Sequence, residues 1–198
     1  MKKLIMSLIL VTLLFGFGQV FAQEDNLLGL YFDPYGDLDC IEAAGLAPFS
    51  MIDLHLILKN PTFEVLRGFE MSLDIEGPAI IVDWEFPEGH DGLNFGYPGN
   101  FIIGYMDWLP MEEINILMTF SVLYMSTDSE GVCFLIGGSD PSSLDPLYPT
   151  LAYSDDGLVS ANVNNGIDGA CTARISETPC STVATQSQTW DSLKSLYR

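Results

Sequence analysis

The chain has 198 residues, with 27 acidic and seven basic side chains, a net charge of −20 and 48% hydrophobic residues. That length suits one domain with a full core. The charge excludes nucleic acid, whose phosphates would repel the chain, and disfavours anionic membrane surfaces; cations and basic partners stay open.

Met1-Lys2-Lys3 is a short positive start. Residues 4–17 are apolar apart from Ser7, Thr12 and Gly16, and Val20-Phe21-Ala22 supplies a cleavage site. Residues 1–22 therefore read as a secretory signal peptide. The mature chain would start at Gln23, keep 176 residues, and carry 27 acidic against five basic side chains, a net −22. No second long apolar segment follows, so a transmembrane span in the mature chain is not expected. The expected location is secreted, periplasmic or on the cell surface.

Residues 23–180 read as one all-β domain, a two-sheet antiparallel β-sandwich of about eight strands. Residues 28–32 make a short first run. Ile52, Leu54, Leu56 and Leu58 then alternate with Asp53, His55 and Lys59, and Phe69, Met71, Leu73 and Ile75 alternate with Glu70, Ser72, Asp74 and Glu76. A period of two marks a strand with one buried face. Ile80, Val82, Trp84 and Phe86 continue the pattern, which places Trp84 in the core. Residues 114–125 are apolar on both faces and predict a central strand. Shorter runs at 101–106, 132–136, 150–153 and 158–161 follow. Asn60-Pro61, Gly77-Pro78, Pro87-Glu88-Gly89, Tyr97-Pro98-Gly99, Gly137-Gly138 and Asp156-Gly157 supply turns between them. Short strands at this spacing suggest a sandwich.

All four cysteines, Cys40, Cys133, Cys171 and Cys180, lie after the leader. An even count in an exported chain favours disulfides. Three pairings exist, and Cys40–Cys133 with Cys171–Cys180 is the preferred one. A structural zinc site is disfavoured because no C-x-x-C pair is present.

Residues 181–189 carry no charge and are rich in Ser, Thr and Gln, the composition of a linker. Residues 190–198 form an amphipathic tail, with Trp190, Leu193, Leu196 and Tyr197 near helical spacing. Thr189 is placed to cap such a turn, and Lys194 and Arg198 lie toward its negative end. Alone a helix this short is marginal in water, so it must dock on its own domain or serve as a tag read by a partner; the linker favours the tag.

Leu30-Tyr31-Phe32-Asp33 with Asp39-Cys40, Leu58-Lys59-Asn60-Pro61, Gly68-Phe69-Glu70 and the closing Trp190-Asp191-Ser192-Leu193-Lys194-Ser195-Leu196-Tyr197-Arg198 resemble a group of uncharacterised bacterial secreted proteins. The Trp-x-x-Leu-Lys-Ser-Leu-Tyr-Arg ending is the most specific part, and the resemblance implies no activity. More distantly, the strand order is similar to cohesin-like and carbohydrate-binding sandwich modules, a fold-level analogy that implies two packed sheets.

Chemistry-bearing motifs are few. His55 and His90 are the only histidines, and no G-x-S-x-G is present. Asp83 with Glu85, or Glu112 with Glu113, are carboxylate pairs, but glycoside hydrolysis also needs a cleft and a set separation. No catalytic residue is assigned, and the chain is not expected to be an enzyme. Asp33, Asp37 and Asp39 pack three carboxylates into seven residues with a turn and predict a calcium site of hard oxygen ligands, outside the EF-hand pattern. Asx-turn chemistry is the competing explanation. Asp155-Asp156-Gly157 and the Asn/Gly/Asp-rich residues 162–169 are weaker candidates of the same kind. Tyr97, Tyr105 and Trp108, near Phe95, predict a flat aromatic platform for a sugar. The expected function is a non-catalytic binding or structural module with a protein or polysaccharide partner outside the cytoplasm. The alternative is a carbohydrate-active protein, either a sugar-binding module or a small glycoside hydrolase.

Overall fold

The computed structural model describes residues 24–154, 157–165 and 170–180. The leader, the linker, the tail, Asp155, Asp156 and residues 166–169 lie outside the described residues.

Two sheets face each other. The first has strand order β12-β1-β3-β8-β5, built from β12 (Asn162–Val163), β1 (Leu27–Tyr31), β3 (Ser50–Lys59), β8 (Ile114–Tyr124) and β5 (Ala79–Glu85). The second runs β11-β10-β4-β9-β13-β2, from β11 (Leu158–Ser160), β10 (Thr150–Ala152), β4 (Val65–Glu76), β9 (Val132–Gly137), β13 (Ala173–Ser176) and β2 (Cys40–Glu42). On the free side of β4 lies β7 (Asn100–Pro110), and β6 (Gly92–Asn94) pairs with β7. A single 3₁₀ turn, Ala43–Gly45, is the one helical element among the described residues.

The core is the sum of the inward faces. Leu54 and Leu56 of β3 meet Phe120 and Met118 of β8 in direct register, and all four are buried. Phe69, Met71 and Leu73 of β4 face them from the other sheet, as their alternation requires. The two-sheet sandwich holds, with a correction: it is not wholly antiparallel. β12 pairs parallel to β1, and β13 parallel to β2.

The phase expected for β5 is also corrected. Ile80 and Val82 are 45% and 48% exposed, whereas Ala79 is buried and Ile81 packs on the core. Ile81 pairs with Val122 and Asp83 with Ser121, so Val82 is an extra residue. This bulge reverses the inward face mid-strand. Beyond it Trp84 and Phe86 do pack on the core.

The disulfides are Cys40–Cys180 and Cys133–Cys171, not the preferred pairing. Arg174 of β13 pairs with Cys40 on one side and Cys133 on the other. Cys40 and Cys133 thus sit two strand spacings apart, roughly 9–10 Å, beyond the reach of an S–S bond.

Candidate functional site

An open groove of about 350 Å³ runs along the outer edge of β5, against the turn joining β6 to β7. Trp84, Phe101 and Tyr97 give it aromatic walls; Asp83 and Asn94 are among its polar lining groups.

Local chemistry fixes this turn. The Asn94 side-chain oxygen accepts from the backbone N–H of Gly96 at 2.9 Å and of Ile102 at 3.2 Å. Tyr97-Pro98-Gly99-Asn100 closes on a 2.8 Å bond from the Asn100 N–H to the Tyr97 carbonyl. Gly99 takes the left-handed φ of +81° that the third position of such a turn needs. The Leu73 N–H donates to the Gly99 carbonyl at 2.8 Å, tying the turn to β4. Asn100 is clamped from behind: its side chain donates to the Asp140 carbonyl at 3.0 Å and accepts from the Asp140 N–H at 2.8 Å. The result holds Tyr97 out at 57% exposure on a rigid base.

Trp84 is braced by a chain of rings. Its centroid is 5.2 Å from Phe86, which lies 5.7 Å from Tyr105, which lies 6.3 Å from Phe69 in the core. Edge-to-face packing of this kind holds Trp84 in one orientation.

The three platform aromatics do not share a surface. Tyr97 lines the groove. Tyr105 is only 9% exposed, and its hydroxyl donates to the Leu117 carbonyl at 2.8 Å, so its ring belongs to the core. Burial pushes its phenol well above the usual range. Trp108 is half exposed away from the groove, with the Arg67 guanidinium stacked 4.4 Å from its ring. Sequence reasoning missed the groove partners Asn94 and Pro98. Asn94 gave no signal beyond an ordinary polar residue, whereas the Tyr97-Pro98-Gly99 turn was readable.

The Asp33 carboxylate accepts the backbone N–H groups of Tyr35, Asp37 and Leu38 at 2.9, 3.0 and 2.6 Å, an Asx turn. Asp39 accepts from the Asn165 side chain at 3.4 Å. Among the described residues no three His, Cys, Asp or Glu side chains gather where they could share a metal ion. This loop lies on the outer face of the first sheet, where Lys59 Nζ donates to the Gly36 carbonyl and sits 4.5 Å over the Tyr31 ring. Burial first, then Asp39, Asp33 and Asp37, push the Tyr31 phenol up to about 12.

His55 Nδ1 is 3.0 Å from Thr119 Oγ1 on that same outer face, and burial lowers its pKa despite Asp53, Asp33 and Glu85. Asp83 and Glu85 point outward from β5, opposite Ser121 and Thr119. Asp83 is the one carboxylate among the groove's lining residues.

No family model matches the chain, and no curated protein sequence matches it. Among solved structures, it is similar to the third ScaB cohesin of R. flavefaciens, determined in complex with a group 1 dockerin. The TM-score is 0.49 and the identity 10%, over 78% of this chain and 95% of that one. It is also similar to the reeler domain of human F-spondin (fragment 2), with a TM-score of 0.36 and 8% identity, over 78% and 96%. At these values neither likeness bears on ligand or activity.

Proposed function

We propose that the chain is an exported, non-catalytic binding module that seats a glycan chain in the groove between β5 and the β6–β7 turn. The observation that carries this reading is the pairing of Tyr97, exposed and rigidly based, with Trp84, braced from the core, in one open groove. Flat rings held in place bury the apolar face of a sugar with little ordering cost, and Asp83 offers a hydrogen-bond acceptor beside them. Two disulfides and the predicted leader support export. A glycosidase mechanism is not favoured at this groove, because it asks for a second carboxyl across the cleft from Asp83.

Calorimetric titration of residues 23–198 against a panel of soluble polysaccharides tests the reading. We expect saturable binding that Tyr97→Ala weakens about tenfold or more, the loss of one stacking ring. Equal binding by wild type and Tyr97→Ala would remove the groove from consideration. Calcium in the Asp33–Asp37–Asp39 loop is a further proposal. A ligand that binds only the native state must raise the melting temperature. A melting temperature unmoved by added Ca²⁺ and by chelator would end that idea.

A further inference from the structure

The outer face of the first sheet is divided. Over its β1 side, the loop of residues 33–38 roofs Ile57, which is fully buried although it lies outside the sandwich core. Over its β5 side there is no such roof among the described residues. Met51, Leu123 and Ile80 stand opposite one another in a single cross-strand row, since Met51 and Ile80 both pair with Leu123. Met51 is 55% exposed and Ile80 45% exposed. The next row is Asp53, Ser121 and Asp83, and Glu85 stands opposite Thr119 in the row beyond. Lys59, the one cation of β3, is already turned to Gly36 and Tyr31. The open area is thus an apolar bar bordered by three carboxylates. Isolated apolar side chains on a surface are ordinary, but an aligned row of this kind marks a contact face.

The complement is in the same chain. Residues 190–198 carry Trp190, Leu193, Leu196 and Tyr197 with Lys194 and Arg198, an apolar stripe with two cations. Their tether is Cys180, joined to Cys40 at the start of β2 with 5.8 Å between Cα atoms. From Cys40 the chain passes through β2 and the 3₁₀ turn straight to Phe49 and β3. The two sheets lie about 10 Å apart, and the nine residues of the 181–189 linker reach roughly 30 Å, so the open face is within range. Nine helical residues would span about 13 Å. The three strands carrying the apolar row span about 10 Å, so the footprints match.

We infer that residues 190–198 dock in cis on the outer face of β3, β8 and β5. Trp190, Leu193, Leu196 and Tyr197 lie on the Met51, Leu123 and Ile80 row, and Lys194 and Arg198 face Asp53 and Glu85. The linker keeps the segment at millimolar effective concentration, so a weak intrinsic contact suffices.

Hydrogen–deuterium exchange on the full exported chain, residues 23–198, tests this. We expect amides of 190–198 to exchange about tenfold or more slower than a free peptide of that sequence. Leu193→Asp should bring them to the free-peptide rate. So should Met51→Asp with Ile80→Asp, at two exposed positions of the domain. A molar level of salt should accelerate exchange, because it screens exposed ion pairs. Free-peptide rates in the wild type would overturn the inference, as would slow exchange indifferent to both sets of substitutions. Slowing that grows with protein concentration would also overturn it, by assigning the face to a second copy. Met51 and Ile80 do not line the glycan groove, so loss of tail protection with polysaccharide binding intact separates this inference from the proposed function.

Discussion

Pro48 and Pro98 open two turns of the same form. In each, the residue after proline has positive φ, and the next N–H bonds back to the residue before it: Ser50 to Ala47 at 3.2 Å, Asn100 to Tyr97 at 2.8 Å. Glycine fills the strained position in one turn and Phe49 in the other. A left-handed conformation costs a non-glycine residue roughly 1–2 kcal/mol, and exposed Phe49 recovers little of it by packing. Phe49→Gly is therefore expected to leave stability unchanged or raise it by up to about 1 kcal/mol, measured as the urea midpoint. A loss beyond about 1 kcal/mol would mean that Phe49 is held by a contact. At this scale much of the site was hidden from the sequence. Tyr105 and Tyr97 look alike as letters, yet one is a core ring with a satisfied hydroxyl and the other is open to solvent. Asp33 reads first as a turn cap and second as a metal ligand, because both depend on the same short, polar side chain.

Strands were legible where the alternation was long. All nine runs that the pattern singled out are strands, among them β3, β4 and β8, which together carry 12 of the 28 buried core residues. β2, β6, β12 and β13 were missed because, unlike the equally short β10 and β11, they sit in no apolar run that stands out from its surroundings, and long-range pairing rather than local pattern makes them strands. The β5 phase error has a different origin: one inserted residue preserves β composition while reversing the face. Pairing also explains Gly68. It stands opposite Gly104 on β7, and a Cβ there would meet the Ile103 carbonyl oxygen at 2.2 Å. Backbone cannot yield as a side chain can. Gly68→Ala should cost about 2–3 kcal/mol through overpacking, read by chemical denaturation. A cost under about 0.5 kcal/mol would show that β7 moves freely from β4.

Across the whole molecule, charge is the dominant surface property. Asp155, Asp156, Asp168 and Asp191, and the cations Lys2, Lys3, Lys194 and Arg198, lie outside the described residues. The other 23 carboxylates face only Lys59, Arg67 and Arg174. Self-repulsion on this scale weakens a compact state, and salt relieves it by shortening the screening length from about 30 Å at 0.01 M to about 3 Å at 1 M. The melting temperature is expected to rise across that range of sodium chloride. A fall would show that attractive pairs outweigh the repulsion. The sequence was fully informative about this property, since net charge needs no coordinates. It was uninformative about cysteine connectivity, which depends on β13 lying between Cys40 and Cys133.

That same strand sets an order of assembly. β13 occupies an interior place in its sheet, between β9 and β2, yet it is the last strand of the described chain to leave a ribosome or a translocation pore. Until residues 173–176 emerge, β2 has no strand neighbour among the described residues, and β9 has a bare edge. The part of the sheet that holds β9 and β2 therefore cannot close before residues 173–176 have joined it, and the pairing of β2 comes late in folding.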